Sequence, residues 1–190
     1  QLFTVDGIDH ETWFAYDKHP DDRIKLHEKY EQYVMNEFVP YIIKRSKEAN
    51  GRKKVGKILV SGCSMGAFHA ANFFFRYPET FDVVIGLSGV YHTKFFFGDL
   101  MDDTIKAYSP LNYLSEVEDP AKLKSYRQNK IIFCCGQGAW EDIMQDHMRQ
   151  LEQVLKAKKI PALIDFWGYD VNHDWPWWQK QMPYFLSSVL

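Results

Sequence analysis

The chain predicts an α/β fold, a mostly parallel sheet with helices on both faces. Three observations predict it. Short apolar runs recur at 57–61, 81–88, 131–136 and 162–167, each of buried-strand length. Segments with helical patterning separate them, so that strand and helix alternate. The first of these strands passes into its helix through the glycine-framed turn Gly62-Cys63-Ser64-Met65-Gly66.

In chain order, residues 1–7 read as a strand ending in a turn. Residues 10–22 form a polar, aromatic loop with Trp13, Tyr16 and Pro20, and Asp21-Asp22 are placed to open a helix. From 23 to about 47 a helix is expected, with Tyr30, Val34, Phe38 and Tyr41 as its apolar stripe and Pro40 as a kink. A polar loop over 46–56 follows, and its basic cluster Arg52-Lys53-Lys54 reads as a solvated turn. The helix after Ser64 runs through Phe73-Phe74-Phe75 and stops before Pro78. Residues 90–130, with Phe95-Phe96-Phe97 and the breakers Pro110 and Pro120, read as an irregular insertion near the site. A helix from about 141 to 156 follows the third strand, and a final helix runs to Leu190. The whole is expected to be one domain, 1–190, because a chain of this length with 46% hydrophobic content can remove roughly 70% of its unfolded surface from water.

Chemistry concentrates at Ser64. A strand that turns this sharply into a helix holds its central serine in a strained conformation with Oγ exposed above the sheet. Glycines at 62 and 66 are expected to make room, and the backbone N–H of Met65 to face a developing oxyanion. Cys63 is next to the nucleophile, but the turn presents position 64. A serine hydroxyl needs a base and an acid to orient that base, and on this kind of sheet the order is serine, acid, histidine. His173, after the last strand and among Trp175, Trp177 and Trp178, is the base; His69 lies on the helix after Ser64 and reads as a packed or solvent-facing residue. The acid is Glu141 or Asp142, with Glu141 preferred and the other placed to stabilise the next helix N-terminus. His92, Trp140 and Trp175 are substrate-contact candidates.

A formal charge of −2 with both signs scattered argues against nucleic acid, and no apolar run reaches membrane-spanning length. The acidic residues near the start lack calcium-loop spacing, so no metal site is expected there, and chemistry carried by a serine, a histidine and an acid requires no metal or organic cofactor. Cys134 and Cys135, adjacent in a strand, point to opposite faces as buried thiols. With Cys63 they fit a reducing, cytoplasmic compartment.

The chain resembles the "putative esterase" (esterase D) family of α/β hydrolases, which includes enterochelin and feruloyl esterases and mycolyltransferases. Glu37-Phe38-Val39-Pro40-Tyr41-Ile42 resembles the family's Glu-x-x-Pro-Tyr-Ile helix; 62–66 with Arg76-Tyr77-Pro78 and Ser88-Gly89 resembles its Gly-x-Ser-Met-Gly block; and His173-Asp174-Trp175 with Trp178 resembles its histidine loop. Ala67 departs from the usual second glycine. The resemblance implies a serine esterase acting on a small-molecule ester through an acyl-enzyme on Ser64, with His173 as base, Glu141 or Asp142 as acid, and a homodimer as its assembly. An acyltransferase on the same machinery is the nearest alternative, and a non-catalytic hydrolase-like binding module the more distant one. The family's strand order also implies that N-terminal strands and a second oxyanion donor lie upstream of Gln1, with 1–6 as the fourth strand.

Overall fold

The computed structural model describes residues 1–51 and 55–190, so the basic cluster Arg52-Lys53-Lys54 lies outside the described residues. The chain divides into two compact units, Gln1–Gly56 and Lys57–Leu190.

In the first unit, residues 1–7 form no strand; they run irregularly, with Leu2 and Val5 exposed. A short apolar segment makes a strand only where a neighbour completes its hydrogen-bond ladder, and the described sheet includes no residue before Leu59. The loop that follows wraps around a buried guanidinium. Arg23 donates from Nε to Thr12 O at 2.9 Å and from its terminal nitrogen to Trp13 O, while the indole of Trp13 donates to His27 Nδ1 at 3.2 Å.

Helix α1 (Pro20–Tyr33) starts with proline at its first position, where no N–H is needed, and the side chain of His19 accepts from Asp21 N. It continues through a π-helical turn (Val34–Phe38) into α2 (Val39–Asn50), which ends on Gly51 at φ +58°. The expected kink at Pro40 is thus a π-turn just before it. An α-helical ladder would press the Pro40 ring on the carbonyl of Asn36, whereas here Val39 N–H reaches back five residues to Val34 O. The extra residue shifts the apolar phase. Val34 and Val39 are buried, Phe38 is half-buried and Tyr41 is exposed, so the stripe expected through Phe38 and Tyr41 passes through Val39 instead.

The second unit is built on four parallel strands in the order β1-β2-β3-β4: β1 (Leu59–Cys63), β2 (Val83–Leu87), β3 (Lys130–Cys135) and β4 (Leu163–Phe166). β2 is buried at every position and β3 at all but Lys130, the mark of central parallel strands covered on both sides. Val83, Ile85 and Leu87 with Ile132 and Cys134 face Trp178 and Phe185 of α9 (Trp175–Leu186). On the other face Phe133 stacks with Phe75 of α3 (Met65–Arg76) at 6.3 Å and meets Tyr91 edge-on at 5.0 Å. Gly86 is required there, because a Cβ would stand 2.6 Å from the Phe133 ring.

Residues 90–130 are not irregular. They hold α4 (Lys94–Phe97), α5 (Asp103–Lys106), α6 (Pro110–Glu116) and α7 (Pro120–Gln128). Pro110 and Pro120, read as breakers, start α6 and α7, where a missing N–H costs nothing. The segment is tied to α3: Arg76 donates to Ala107 O at 2.7 Å and lies over the Tyr108 ring, and Tyr126 Oη donates to Phe75 O at 2.5 Å. Helix α8 (Asp142–Ala157) completes the unit. No described helix is long and apolar enough to cross a membrane.

Candidate active site

Ser64 stands between β1 and α3 at φ +53°, ψ −118°, a conformation that costs a serine roughly 1–3 kcal/mol and persists only where its surroundings enforce it. The enforcement is visible. Ser64 N–H donates to Leu87 O at 2.8 Å, and its carbonyl accepts from Ala67 N and Phe68 N. Of the two framing glycines only Gly62 is sterically required: a Cβ there would collide with the backbone of Gly66, whereas one at Gly66 would meet nothing within 4 Å. Ala67 is fully buried, and its methyl is matched by Gly89, where a Cβ would come within 2.8 Å of it. Met65 begins α3, so its N–H has no intrahelical acceptor.

The imidazole of His173 lies against Ser64, with Nε2 at 2.8 Å from its Oγ. On its other side Nδ1 faces Glu141 Oε2 at 3.6 Å. Glu141 is fully buried, the residue just before α8, while Asp142 is exposed in the first turn of α8. The geometry therefore separates the two acids that the sequence left paired: Glu141 stands behind the histidine and Asp142 stays out of the cluster. Asp174 caps α9 by accepting from Trp175 N at 2.7 Å.

Two loops hold this arrangement. Gly138 N donates to Val171 O at 2.9 Å, Ala139 N to Asn172 Oδ1 at 2.8 Å, and His173 N returns to Ala139 O at 3.0 Å. Gln137 adds Nε2 to Trp167 O at 2.7 Å. The glycines are necessary, since a Cβ on Gly136 would strike Val171 O and one on Gly138 would strike Asn172 Oδ1. Because these bonds join the loops after β3 and β4, the position of Glu141 depends on that of His173.

Three residues to which the sequence assigned no role join the site through hydrogen bonds: Ser88, Asn172 and Trp178. Ser88, fully buried at the end of β2 with φ +51°, donates from Oγ to Glu141 Oε1 at 2.5 Å and accepts from Trp178 Nε1 at 3.0 Å. The Trp178 ring meets His173 edge-on at 4.9 Å and is met in turn by Trp175 at 5.2 Å. The dipeptide Ser88-Gly89 after a strand, and Trp178 in the histidine-loop resemblance, are the sequence signals for two of them.

The substrate-contact candidates divide. Trp175 joins the site through Trp178 and is largely exposed; Trp140, at φ +68° and 82% exposed, flanks Glu141 in sequence. His92 turns elsewhere, its Nδ1 accepting from Lys94 N at 3.0 Å and its ring lying beside His147. Burial, reinforced by the His92 ring, pushes the His147 imidazole down to about 4. Burial also pushes the Cys63 thiol up to about 11 and Cys134 and Cys135 well above the usual thiol range, which suppresses the thiolate at all three. His69 is buried on α3 beside Phe68. Among the described residues, no three His, Cys, Asp or Glu side chains gather as a metal site.

Comparison with known proteins agrees with this architecture. A ferulic acid esterase structure superposes with TM-score 0.62 at 23% identity, over 80% of this chain and 57% of that one. The S-formylglutathione hydrolase FrmB of Staphylococcus aureus gives TM-score 0.53 at 17% identity over 82% and 61%. FphF, a fluorophosphonate-binding serine hydrolase of Staphylococcus aureus, gives 0.54 at 17% over 78% and 61%. The chain thus spans about three-fifths of the length of these structures, and they share its fold, that of the α/β hydrolases. No curated protein matches it. The family model described as "Putative esterase" matches residues 8–187, nearly the whole chain, and the protein belongs to that family.

Proposed function

We propose that this chain carries the active centre of a serine esterase. The 2.8 Å approach of Ser64 Oγ to His173 Nε2, with a buried carboxylate behind the imidazole, is the observation that supports it most. In this reading Ser64 Oγ attacks the carbonyl carbon of a carboxylic ester while His173 Nε2 takes its proton. Glu141 stabilises the resulting imidazolium, and the tetrahedral oxyanion receives the N–H of Met65. As the intermediate collapses, His173 passes the proton to the departing alcohol and leaves the acyl group on Ser64. Water, deprotonated by the same imidazole, then releases the acid. Every step moves a proton or an acyl group, so the residues named close the cycle.

The strain at Ser64 has a role here. A relaxed residue at that turn would place its side chain against the sheet, whereas φ +53° presents Oγ to the histidine. Trp175, exposed beside the histidine loop, offers an apolar face to the acyl or alcohol part of the ester.

Fluorophosphonate labelling tests the proposal. Labelling mapped to Ser64 is expected, together with hydrolysis of p-nitrophenyl esters, and Ser64→Ala should abolish both, a loss on the order of 10⁶ in kcat. Labelling elsewhere, or turnover that survives Ser64→Ala, would overturn it.

A further inference from the structure

Resting on the esterase reading and extending it, we propose that Ser88 is a positioning residue that orients Glu141 and thereby selects the productive tautomer of His173, with Trp178 setting the direction of its hydroxyl. An indole N–H only donates. Because Trp178 Nε1 lies 3.0 Å from Ser88 Oγ, the Ser88 oxygen is the acceptor of that bond, and its own proton is left to point elsewhere. The neighbour in reach is Glu141 Oε1 at 2.5 Å, which therefore receives it. Oε1 is thus engaged as an acceptor, and Oε2 is presented at 3.6 Å to His173 Nδ1. A carboxylate oxygen that accepts calls for a donor at Nδ1, so the ring proton resides there. Nε2 is then an acceptor, as abstraction of the Ser64 proton at 2.8 Å requires. Donation converges on Glu141 from two sides, from the Trp178 indole through Ser88 and from the Ser64 hydroxyl through His173.

Two further observations single out Ser88. It keeps a left-handed backbone, φ +51°, at a fully buried position where glycine would be the unstrained choice, so the side chain is retained against a conformational cost. The residue before it, Leu87, accepts the Ser64 N–H at 2.8 Å, and the Ser88 N–H donates to Cys134 O at 2.7 Å, so the end of β2 is tied to both the elbow and β3. A hydroxyl mounted there is a fixed reference for a buried carboxylate, which without a donor would lose much of its compensation for leaving water.

The test compares Ser88→Gly, Ser88→Ala and Trp178→Phe with the unmodified protein. Ser88→Gly suits the backbone conformation and removes only the hydroxyl, so it guards against misfolding. Expected are a roughly 10- to 100-fold fall in kcat and in the fluorophosphonate labelling rate for both Ser88 variants, a smaller fall for Trp178→Phe, and KM within about threefold of the original, since the hydroxyl acts on the proton-transfer machinery rather than on substrate. Ser88→Gly that folds and retains kcat within twofold would overturn the inference. A second readout is independent of turnover: the His173 Nδ1–H proton resonance, sheltered by Glu141, is expected to be visible in the original protein and lost to solvent exchange in Ser88→Gly. If the original protein neither labels nor turns over, the esterase reading falls, and this resonance alone decides: its loss in Ser88→Gly upholds the positioning role, and its persistence overturns it.

Discussion

The elbow around Ser64 and the paired loops that carry Glu141 and His173 supply parts of one site by opposite means. The elbow is local. Its strain, its glycine and the placing of its hydroxyl are decided within the five residues from Gly62 to Gly66, and one bond to Leu87 O anchors it. The loops are mutual. Residues more than 30 positions apart exchange backbone and side-chain hydrogen bonds, and neither loop has a set conformation without the other. The difference teaches that a strained serine can be written in a short motif, whereas the carboxylate and imidazole that meet it are written in a pairing.

The sharpest break in that pairing is at the acid. Glu141→Gln keeps the shape and removes the charge, and a fall in kcat on the order of 10³- to 10⁴-fold is expected, against less than twofold for Asp142→Asn. Steady-state ester hydrolysis by the two variants checks it, and equal losses would return Asp142 to candidacy. A smaller effect is expected from Asn172→Ala, which deprives Ala139 N of its acceptor and loosens the loop contact. About a tenfold loss in kcat with little change in melting temperature would mark the bond as a positioning device rather than a stabilising one. The elbow should respond in stability. Gly62→Ala drives a methyl into the Gly66 backbone and is expected to cost about 1–3 kcal/mol. Gly66→Ala meets open space inside a helix and should be neutral or stabilising by up to about 1 kcal/mol. Thermal melts of the two variants check the opposite signs, and a shared destabilisation would show that the second glycine is needed after all.

The misreadings of the fold share a physical cause. Residues 90–130 lack a long periodic pattern, and their prolines mark helix ends in either direction; that Pro110 and Pro120 open helices depends on Arg76 and Tyr126 holding the segment against α3. The first seven residues have the apolar content and closing glycine of a short strand, but a strand also needs a partner to complete its ladder, which composition does not state. At Pro40 the missing N–H was legible while its remedy was not, because a π-turn and a kink answer the same deficit and packing at Val34 and Val39 chooses between them.

By itself the sequence determined the four parallel strands, the strand-to-helix turn at Ser64, the histidine after the last strand and a pair of acids after the third. All are consequences of short-range rules, namely apolar runs, glycine spacing and the order in which strand ends follow one another. Only the tertiary structure decided which acid faces His173, that Ser88 and Trp178 hold it, and that His92 faces His147. Those outcomes depend on where a donor-only indole, a buried hydroxyl and a buried carboxylate come to lie together, and hydrogen-bond direction in a buried cluster is settled by the whole set of partners.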